Sequence, residues 1–277
     1  MLTYFAASSV PLTPETIFTI GGLAVTNTMF FGVIIAACVG WLFYYAAKYS
    51  TVRPNRKFSF AIESLVDTVL NIAEENFEDR KKAIKYLPLL LTLFIFILLS
   101  NLAGLLPGVG SITIATDSGV SPLLRPFTSD LNGTLALAIL TIGTVQVAAI
   151  RERGFKQHIM HYFMNNPLNP MNLFIGIIEI MGEFIRILTL SMRLFGVIYA
   201  GKVLLYVISD LSGNFSPIAT LPVYVLEIFF SFIQAYVFML LSTVYLAMAT
   251  KHGDSPNPDD HQPELTPITS TGGGAKV

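Results

Sequence analysis

The amino-acid sequence predicts an all-α integral membrane protein, with about five membrane-embedded helices and one amphipathic helix on the membrane surface. Of its 277 residues, 53% are hydrophobic and 13% are charged, whereas a soluble domain has roughly 25% charged residues. The mean hydropathy is +0.64. The apolar residues are concentrated in a few long stretches. Because a helix rises about 1.5 Å per residue, about 20 apolar residues cross the hydrocarbon core of a bilayer.

Three stretches have the length of simple membrane spans, namely 27–47, 87–107 and 132–150. We assign residues 1–26, before the first span, to an outer N-terminal segment. Everything from residue 27 to residue 250 is expected to form one membrane domain.

Two further apolar stretches, 171–208 and 222–249, are longer than a span requires. The first of them would form a helix about 57 Å long. Such a helix must tilt strongly or curve along the membrane plane. We therefore expect the last two helices to form a long, tilted hairpin.

The segment 58–78 has the pattern of an amphipathic surface helix, because its apolar residues recur at helical spacing and polar residues lie opposite them. The apolar residues are Phe58, Ile62, Leu65, Val66, Val69, Ile72, Ala73 and Phe77. A core helix of a soluble domain would show the same pattern. However, no segment large enough to form such a domain is visible.

Basic residues in the short loops predict the orientation in the membrane. Eight of them lie between the first and second spans: Lys48, Arg53, Arg56, Lys57, Arg80, Lys81, Lys82 and Lys85. The next loop has only Arg125, and basic residues return after the third span. The amino terminus is therefore expected outside and the carboxyl terminus inside. The polar tail 251–277 is expected to be disordered on the inner side.

The composition argues against several classes of function. A net charge of −1 without a basic stripe gives no sign of a nucleic-acid partner. Cys38 is the only cysteine, and His158 and His161 have no Cys or carboxylate beside them, so no metal site is predicted. The glycines lack the spacing of a phosphate-binding loop, so we expect no nucleotide and no cofactor.

Charged residues nevertheless occur inside the segment 171–208. Glu179, Glu183, Arg186 and Arg193 fall within about 80° of one another around a helix. Each charge at the bilayer centre costs about 2.5 to 3.5 kcal/mol, which calls for a partner or a function. Glu179 or Glu183 can pair with Arg186. Arg193 has no carboxylate three or four positions further on, so its counter-charge must come from another helix or another subunit.

A second polar stripe is predicted on the last helix, where Glu227, Ser231, Gln234 and Tyr245 share a face. Lys202 lies about 180° away from Arg193 and must face a different environment. With both stripes pointing outward, the hairpin would form a ledge along which another intramembrane surface could slide.

Four motifs resemble one known family. They are "LLSNLAGLLPG", "SDLNGTLALAIL", "LTLSMRLFGVIYAG" and "FSFIQAYVFMLLSTVYLAMA", and they occur in order between Tyr86 and Ala249. The sequence resembles subunit a of the F-type ATP synthase, the membrane stator subunit of the Fo sector. The resemblance implies a proton-translocating subunit that is not an enzyme by itself. Its partners would be the c-subunit ring, the peripheral-stalk b subunits, the other synthase subunits, the lipid bilayer and the translocated proton, or sodium in its place.

The same resemblance implies roles for individual residues. Arg193 would be the essential arginine facing the ring of c subunits, each of which carries one membrane-buried carboxylate. The inner aqueous half-channel would be bordered by Glu179, Glu183 and Arg186. The outer half-channel would be bordered by Asn101, Lys202, Glu227 and Gln234. A bacterial plasma membrane is favoured over an organellar inner membrane.

Two positions depart from the family pattern. Lys202 stands where an acidic residue or histidine is common, and Val197 replaces the asparagine of the usual motif. Lys202 could form a structural ion pair with Glu227, or it could tune Glu227 as a proton relay. Two other classes of protein also fit the residues themselves. One is an independent carrier or ion channel whose intramembrane arginine binds an anionic solute, and the other is a membrane scaffold.

Overall fold

A computed structural model describes residues 16–20, 23–49, 57–77, 79–106, 109, 113–116, 119–154 and 170–251. Long helices make up most of this part of the chain. They are α1 (Asn27–Tyr49), α2 (Lys57–Phe77), α3 (Arg80–Leu105), α4 (Leu131–Arg153), α5 (Pro170–Ser212) and α6 (Ser216–Lys251). Within these described residues, four stretches are long and apolar enough to cross a membrane: 27–48, 80–105, 131–152 and 176–250. The last stretch contains most of α5 and α6. The predicted class, an all-α integral membrane protein, is confirmed.

Helix α3 begins seven residues before the predicted span 87–107. Asp79 caps its first turn, since the carboxylate accepts a hydrogen bond of 2.9 Å from the backbone nitrogen of Lys81. The first turns of α3 carry Arg80, Lys81, Lys82 and Lys85. Hydropathy excludes such a basic segment from a span, but it does not prevent the segment from being helical.

Helix α2 is amphipathic along its length. Val69, Ala73 and Phe77 are buried, whereas Glu63 and Asp67 on other sides of the helix are exposed. The buried face belongs to the same apolar cluster as residues of α3 and α6. Helix α2 therefore packs lengthwise against the other helices through its apolar face.

Helices α5 and α6 form an antiparallel pair of 43 and 36 residues. At about 1.5 Å per residue they are roughly 64 and 54 Å long. A single 3₁₀ turn, Gly213–Phe215, joins them, and Gly213 adopts a positive φ of 50° there. Residues 209–221 were predicted to lie outside both helices, but nearly all of them are helical. Pro222, expected as the first residue of the last helix, lies inside α6.

The described part of the chain also contains two short β-hairpins, which lie outside the helices and were not predicted. Strands β1 (Thr16–Ile20) and β2 (Leu23–Thr26) pair antiparallel. Strands β3 (Thr113–Thr116) and β4 (Gly119–Pro122) do so in the connection between α3 and α4. With four or five residues in each strand, the hairpins do not alter the fold class.

The main core lies among α2, α3, α4, α5 and α6. Its fully buried residues include Leu90, Ile97, Leu194, Phe238 and Met239. Three predictions fall outside the described residues: the outer segment before residue 16, the histidines at positions 158 and 161, and the tail after residue 251.

Candidate functional site within the membrane helices

Helices α3, α5 and α6 enclose a cavity of about 260 Å³ with the loop that precedes α4. Asn101 comes from α3, Lys202 from α5, and Glu227 and Ser231 from α6. Pro126 contributes the side of the cavity formed by the loop. Three of the four residues expected at the outer half-channel therefore lie around one space. The fourth, Gln234, is buried about two turns beyond Glu227 on α6 and does not line the cavity.

Glu227 is the buried carboxylate of this cavity, with 8% of the residue exposed. Its Oε2 atom is buried without a hydrogen-bond partner among the described residues. The carboxylate also lies against the backbone of Gly201. A Cβ atom at Gly201 would meet Oε1 and would stand 3.0 Å from Cδ of Glu227. The missing side chain at position 201 therefore makes room for Glu227.

Lys202 lines the same cavity but forms no ion pair with Glu227 within the described part of the chain. Its charge interacts through space with both Glu227 and Arg125. Two positive charges, those of Lys202 and Arg125, therefore act near the cavity. The direct Lys202–Glu227 contact required by a structural ion pair is absent from this structure.

Arg125 was not predicted as a site residue, and its position in the sequence indicated only the orientation in the membrane. Arg125 is buried, and its Nε and Nη2 atoms donate to the side chain and carbonyl of Ser129, at 3.2 and 3.4 Å. Pro126 beside it packs into the notch left by Gly104. The available signal was a lone arginine next to the capping sequence "TSD" in a loop without other basic residues.

Asp130 fixes this loop to two helices. Its carboxylate caps α4 by accepting from the Asn132 nitrogen at 3.0 Å, and it accepts from the Thr28 hydroxyl of α1, also at 3.0 Å. Thr128, Ser129 and Asp130 are all buried. The loop is therefore a fixed part of the bundle on the side where the cavity lies.

Several buried polar atoms near the cavity lack a hydrogen-bond partner among the described residues. They are Oδ1 and Nδ2 of Asn101, Oγ of Ser100 and Nε2 of Gln234. Buried polar atoms are normally paired with protein or with water. This group therefore forms a polar region within an otherwise apolar bundle.

Arg193 lies on the exposed side of α5, away from Leu190 and Leu194, which are buried. Its exposed neighbour Met192 is apolar. No ion pair or hydrogen bond joins the guanidinium to any residue that the structure describes. The contacts Gly201–Glu227 and Arg186–Tyr245 set the antiparallel register, which brings Gln234 of α6 to about the height of Arg193.

Two turns before Arg193, Arg186 forms a cluster of its own. Its Nη1 atom lies 2.7 Å from Oε1 of Glu183, and its Cζ atom lies 4.3 Å from the ring centroid of Tyr245 on α6. Glu179 lies one turn before Glu183 on α5. It is partly exposed and interacts with other residues.

The expected ledge with both polar stripes outward was wrong for α6. Glu227, Ser231 and Gln234 are all buried, at 8%, 1% and 5% exposure. They share a face, as their spacing predicts, but that face packs into the bundle. The outward face of α6 is instead apolar, with Phe229 and Phe232 more than half exposed.

The fold and the site define a multi-pass α-helical membrane protein that holds charged residues both in a cavity between helices and on one outer, largely apolar face. The sequence profile of the family described as "ATP synthase A chain" matches residues 28–247. The chain belongs to this family, which confirms the resemblance found in the sequence motifs.

Curated relatives agree with this family. The chain is 36% identical over 188 residues to "ATP synthase subunit a" of Campylobacter jejuni (strain 81-176), covering 68% of this chain and 74% of the relative. It is 30% identical over 241 residues to "ATP synthase subunit a 2" of Bradyrhizobium sp., covering 87% and 96%. For "ATP synthase subunit a" of Desulfotalea psychrophila the identity is 37% over 176 residues, with coverage of 62% and 64%.

Proposed function

We propose that this chain is the proton-translocating subunit a of a bacterial F-type ATP synthase. In this role it is not an enzyme by itself. It couples the flow of protons to rotation of a c-subunit ring, and other subunits make ATP. The observation that carries the proposal is Arg193, a guanidinium on an exposed apolar helix face without a partner in the described part of the chain.

Arg193 is proposed to be the gate between two proton paths. A guanidinium keeps its proton at physiological pH, so it attracts a carboxylate but cannot relay a proton to it. A c-ring carboxylate that passes Arg193 must therefore give up its proton before the contact and take up another one after it. Proton flow is then tied to rotation.

The outer half-channel is proposed to run through the cavity bordered by Asn101, Lys202 and Glu227 and on toward Gln234. Glu227 would be the relay, because its carboxylate faces the cavity and Oε2 is free of protein hydrogen bonds among the described residues. Lys202 would tune this carboxylate rather than cancel it, since no direct ion pair joins them. The unpaired polar atoms of Ser100 and Asn101 are suited to bind water along the same path.

The inner half-channel is proposed to lie at Glu179, with Glu183 and Arg186 at its border. These residues share a helix face with Arg193 and lie two to four turns further toward the amino terminus of α5. The two half-channels would thus approach Arg193 from opposite ends of the α5–α6 hairpin. The hairpin would be tilted so that its apolar outer face follows the ring.

Rotation in this scheme is driven by the membrane potential. Moving one elementary charge through 100 mV yields about 2.3 kcal/mol. We propose a bacterial plasma membrane, with the amino terminus outside and the carboxyl terminus in the cytoplasm. The b subunits of the peripheral stalk would hold the chain against the torque of the ring.

Substitution of Arg193 tests the proposal. In inverted membrane vesicles that contain the assembled synthase, Arg193→Ala should abolish ATP-driven proton pumping, and Arg193→Lys should restore little of it because a lysine can lose its proton. Arg151→Ala, which removes an exposed guanidinium at the end of α4, is the matched control and should pump normally. Undiminished pumping by Arg193→Ala would refute the gate. ATP-driven uptake of sodium in place of protons by the parent synthase would identify sodium as the transported ion.

A further inference from the structure

We infer that Arg186 is a positioning residue, held between Glu183 and Tyr245, which aligns the gate without itself carrying protons. The inference rests on the proposed function and deepens it. It divides the three charged residues near the inner half-channel into one carboxylate that serves the path, Glu179, and a neutral pair that supports it.

The contacts of Arg186 join the two helices of the hairpin. Its guanidinium forms an ion pair of 2.7 Å with Glu183 on α5 and lies over the ring of Tyr245 on α6, 4.3 Å from the centroid. A cation within about 6 Å of a ring centroid is attracted to the face of the ring. The side chains of Arg186 and Glu183 are only 29% and 24% exposed, so both charges are largely withdrawn from solvent.

The position of this contact matters for Arg193. Seven residues separate Arg186 from Arg193, which is nearly two full turns, so both side chains leave α5 on about the same side. On the other side of Arg193, α5 and α6 meet where the Glu227 carboxylate lies against Gly201. Arg193 is therefore bracketed by two specific contacts between the same helices. Apolar packing alone is non-directional, so these contacts define the rotation of α5 more closely.

The ion pair between Glu183 and Arg186 also determines the net charge on this face of α5. An uncompensated Arg186, two turns from Arg193 on the same face, would attract a rotor carboxylate in the same way as Arg193. Glu183 neutralises it. The pair therefore presents no net charge to the ring, and Arg193 is left as the cation that the ring meets on this part of α5.

The aromatic ring and the hydroxyl of Tyr245 are expected to differ in importance. A cation–π contact requires the ring only, whereas a proton relay requires the hydroxyl. The test measures protons pumped per ATP hydrolysed in inverted vesicles that contain the whole synthase. Tyr245→Phe should pump close to the parent level. Tyr245→Leu should lower the ratio by roughly fivefold, the factor expected for losing a partly buried cation–π contact.

A second pair of variants tests the charge balance. Glu183→Gln should lower the coupling ratio because it leaves Arg186 unpaired. Glu183→Gln combined with Arg186→Gln should recover only part of that loss, up to the level of Tyr245→Leu, because the net charge is again zero but the contact with Tyr245 is lost. The amount of synthase in the membrane is measured for each variant, and the charge pair decides the question if Tyr245→Leu does not assemble.

The outcomes are separable. Equal losses for Tyr245→Phe and Tyr245→Leu would make Tyr245 a proton relay and overturn the inference. A double variant no better than Glu183→Gln alone would do the same. Neither result would touch the proposed function, which fails only if Arg193→Ala pumps normally in the same vesicles.

Discussion

The carboxylate of Glu227 lies directly against the backbone of Gly201, in the space that a side chain at position 201 would fill. This contact joins α5 to α6 beside the cavity formed by α3, α5 and α6. The charge, the cavity and the helix pairing at this point therefore depend on a glycine.

Gly201→Ala should displace the Glu227 carboxylate, because the added methyl group would overlap Oε1. Overpacking of this kind costs about 1 to 3 kcal/mol. We expect ATP-driven proton pumping to fall severalfold while the synthase still assembles. Gly143→Ala is the matched control, since nothing lies within 4 Å of its added Cβ. Normal pumping by Gly201→Ala would mean that Glu227 can be moved without harm.

Glu227→Gln should impair proton pumping far more than Lys202→Met. The first substitution removes the proposed relay, and a positioned acid–base group contributes roughly a hundredfold or more to a proton-transfer rate. The second removes only a nearby charge that makes no direct pair with Glu227. Proton flux is measured in the same vesicles. Equal losses in the two variants would indicate that Lys202 and Glu227 act as one ion pair.

Thr134 and Ser191 should respond differently to the loss of their hydrogen bond. The two hydroxyls lie 3.1 Å apart between α4 and α5, and Thr134 also donates to the Leu131 carbonyl at 3.0 Å. Ser191 is therefore the donor between them. Ser191→Ala removes one interhelical bond, about 0.6 kcal/mol in membrane helices. Thr134→Val leaves the Ser191 hydroxyl buried without this acceptor, so it should cost more.

The measurement is the temperature at which the purified chain loses half of its helical circular-dichroism signal in detergent. Ser191→Ala should lower it slightly, and Thr134→Val should lower it further. The reverse order would assign the donor to Thr134.

Gly133→Ala should be more destabilising than Gly32→Ala. Both glycines adjoin Phe127, whose ring packs edge-on against Phe96 at 5.7 Å. At Gly32 the added Cβ would meet only ring atoms, 2.7 Å from Cδ2, and a ring can turn aside. At Gly133 it would also meet the Phe127 carbonyl oxygen at 2.8 Å, which the 3₁₀ turn holds in place. The same melting measurement compares the two, and equal effects would show that the turn yields as easily as the ring.

Apolar length and helical periodicity were sufficient to predict the fold class, because a bilayer requires every backbone polar group to be paired within the segment that crosses it. The helix ends were harder to predict. The first turns of α3 contain Lys81 and Lys85, whose charge lowers the hydropathy, so the predicted span begins later than the helix. Asp79 caps the helix before these residues. At α6 the expected start was Pro222, but the helix begins at Ser216. Proline is tolerated inside helices of membrane proteins more readily than in soluble ones.

The site was only partly readable from the sequence. The spacing along α6 correctly predicted that Glu227, Ser231 and Gln234 share one face. It did not predict that this face is buried, because the direction of a face depends on the neighbouring helices. Arg125 carried no periodic signal because it lies in a loop. Its neighbour Pro126 packs against Gly104, which is 22 positions away in the chain, and no local sequence pattern predicts such a contact.

The hydrogen bond from Thr28 to Asp130 also bears on how the chain is inserted during synthesis. Thr28 enters the bilayer with the first helix, but Asp130 is made 102 residues later. The amino-terminal end of the first helix therefore cannot form this hydrogen bond until the ribosome has produced the start of α4. A nascent chain arrested before that point should leave its first helix free to slide or turn in the lipid, and accessible to a membrane chaperone.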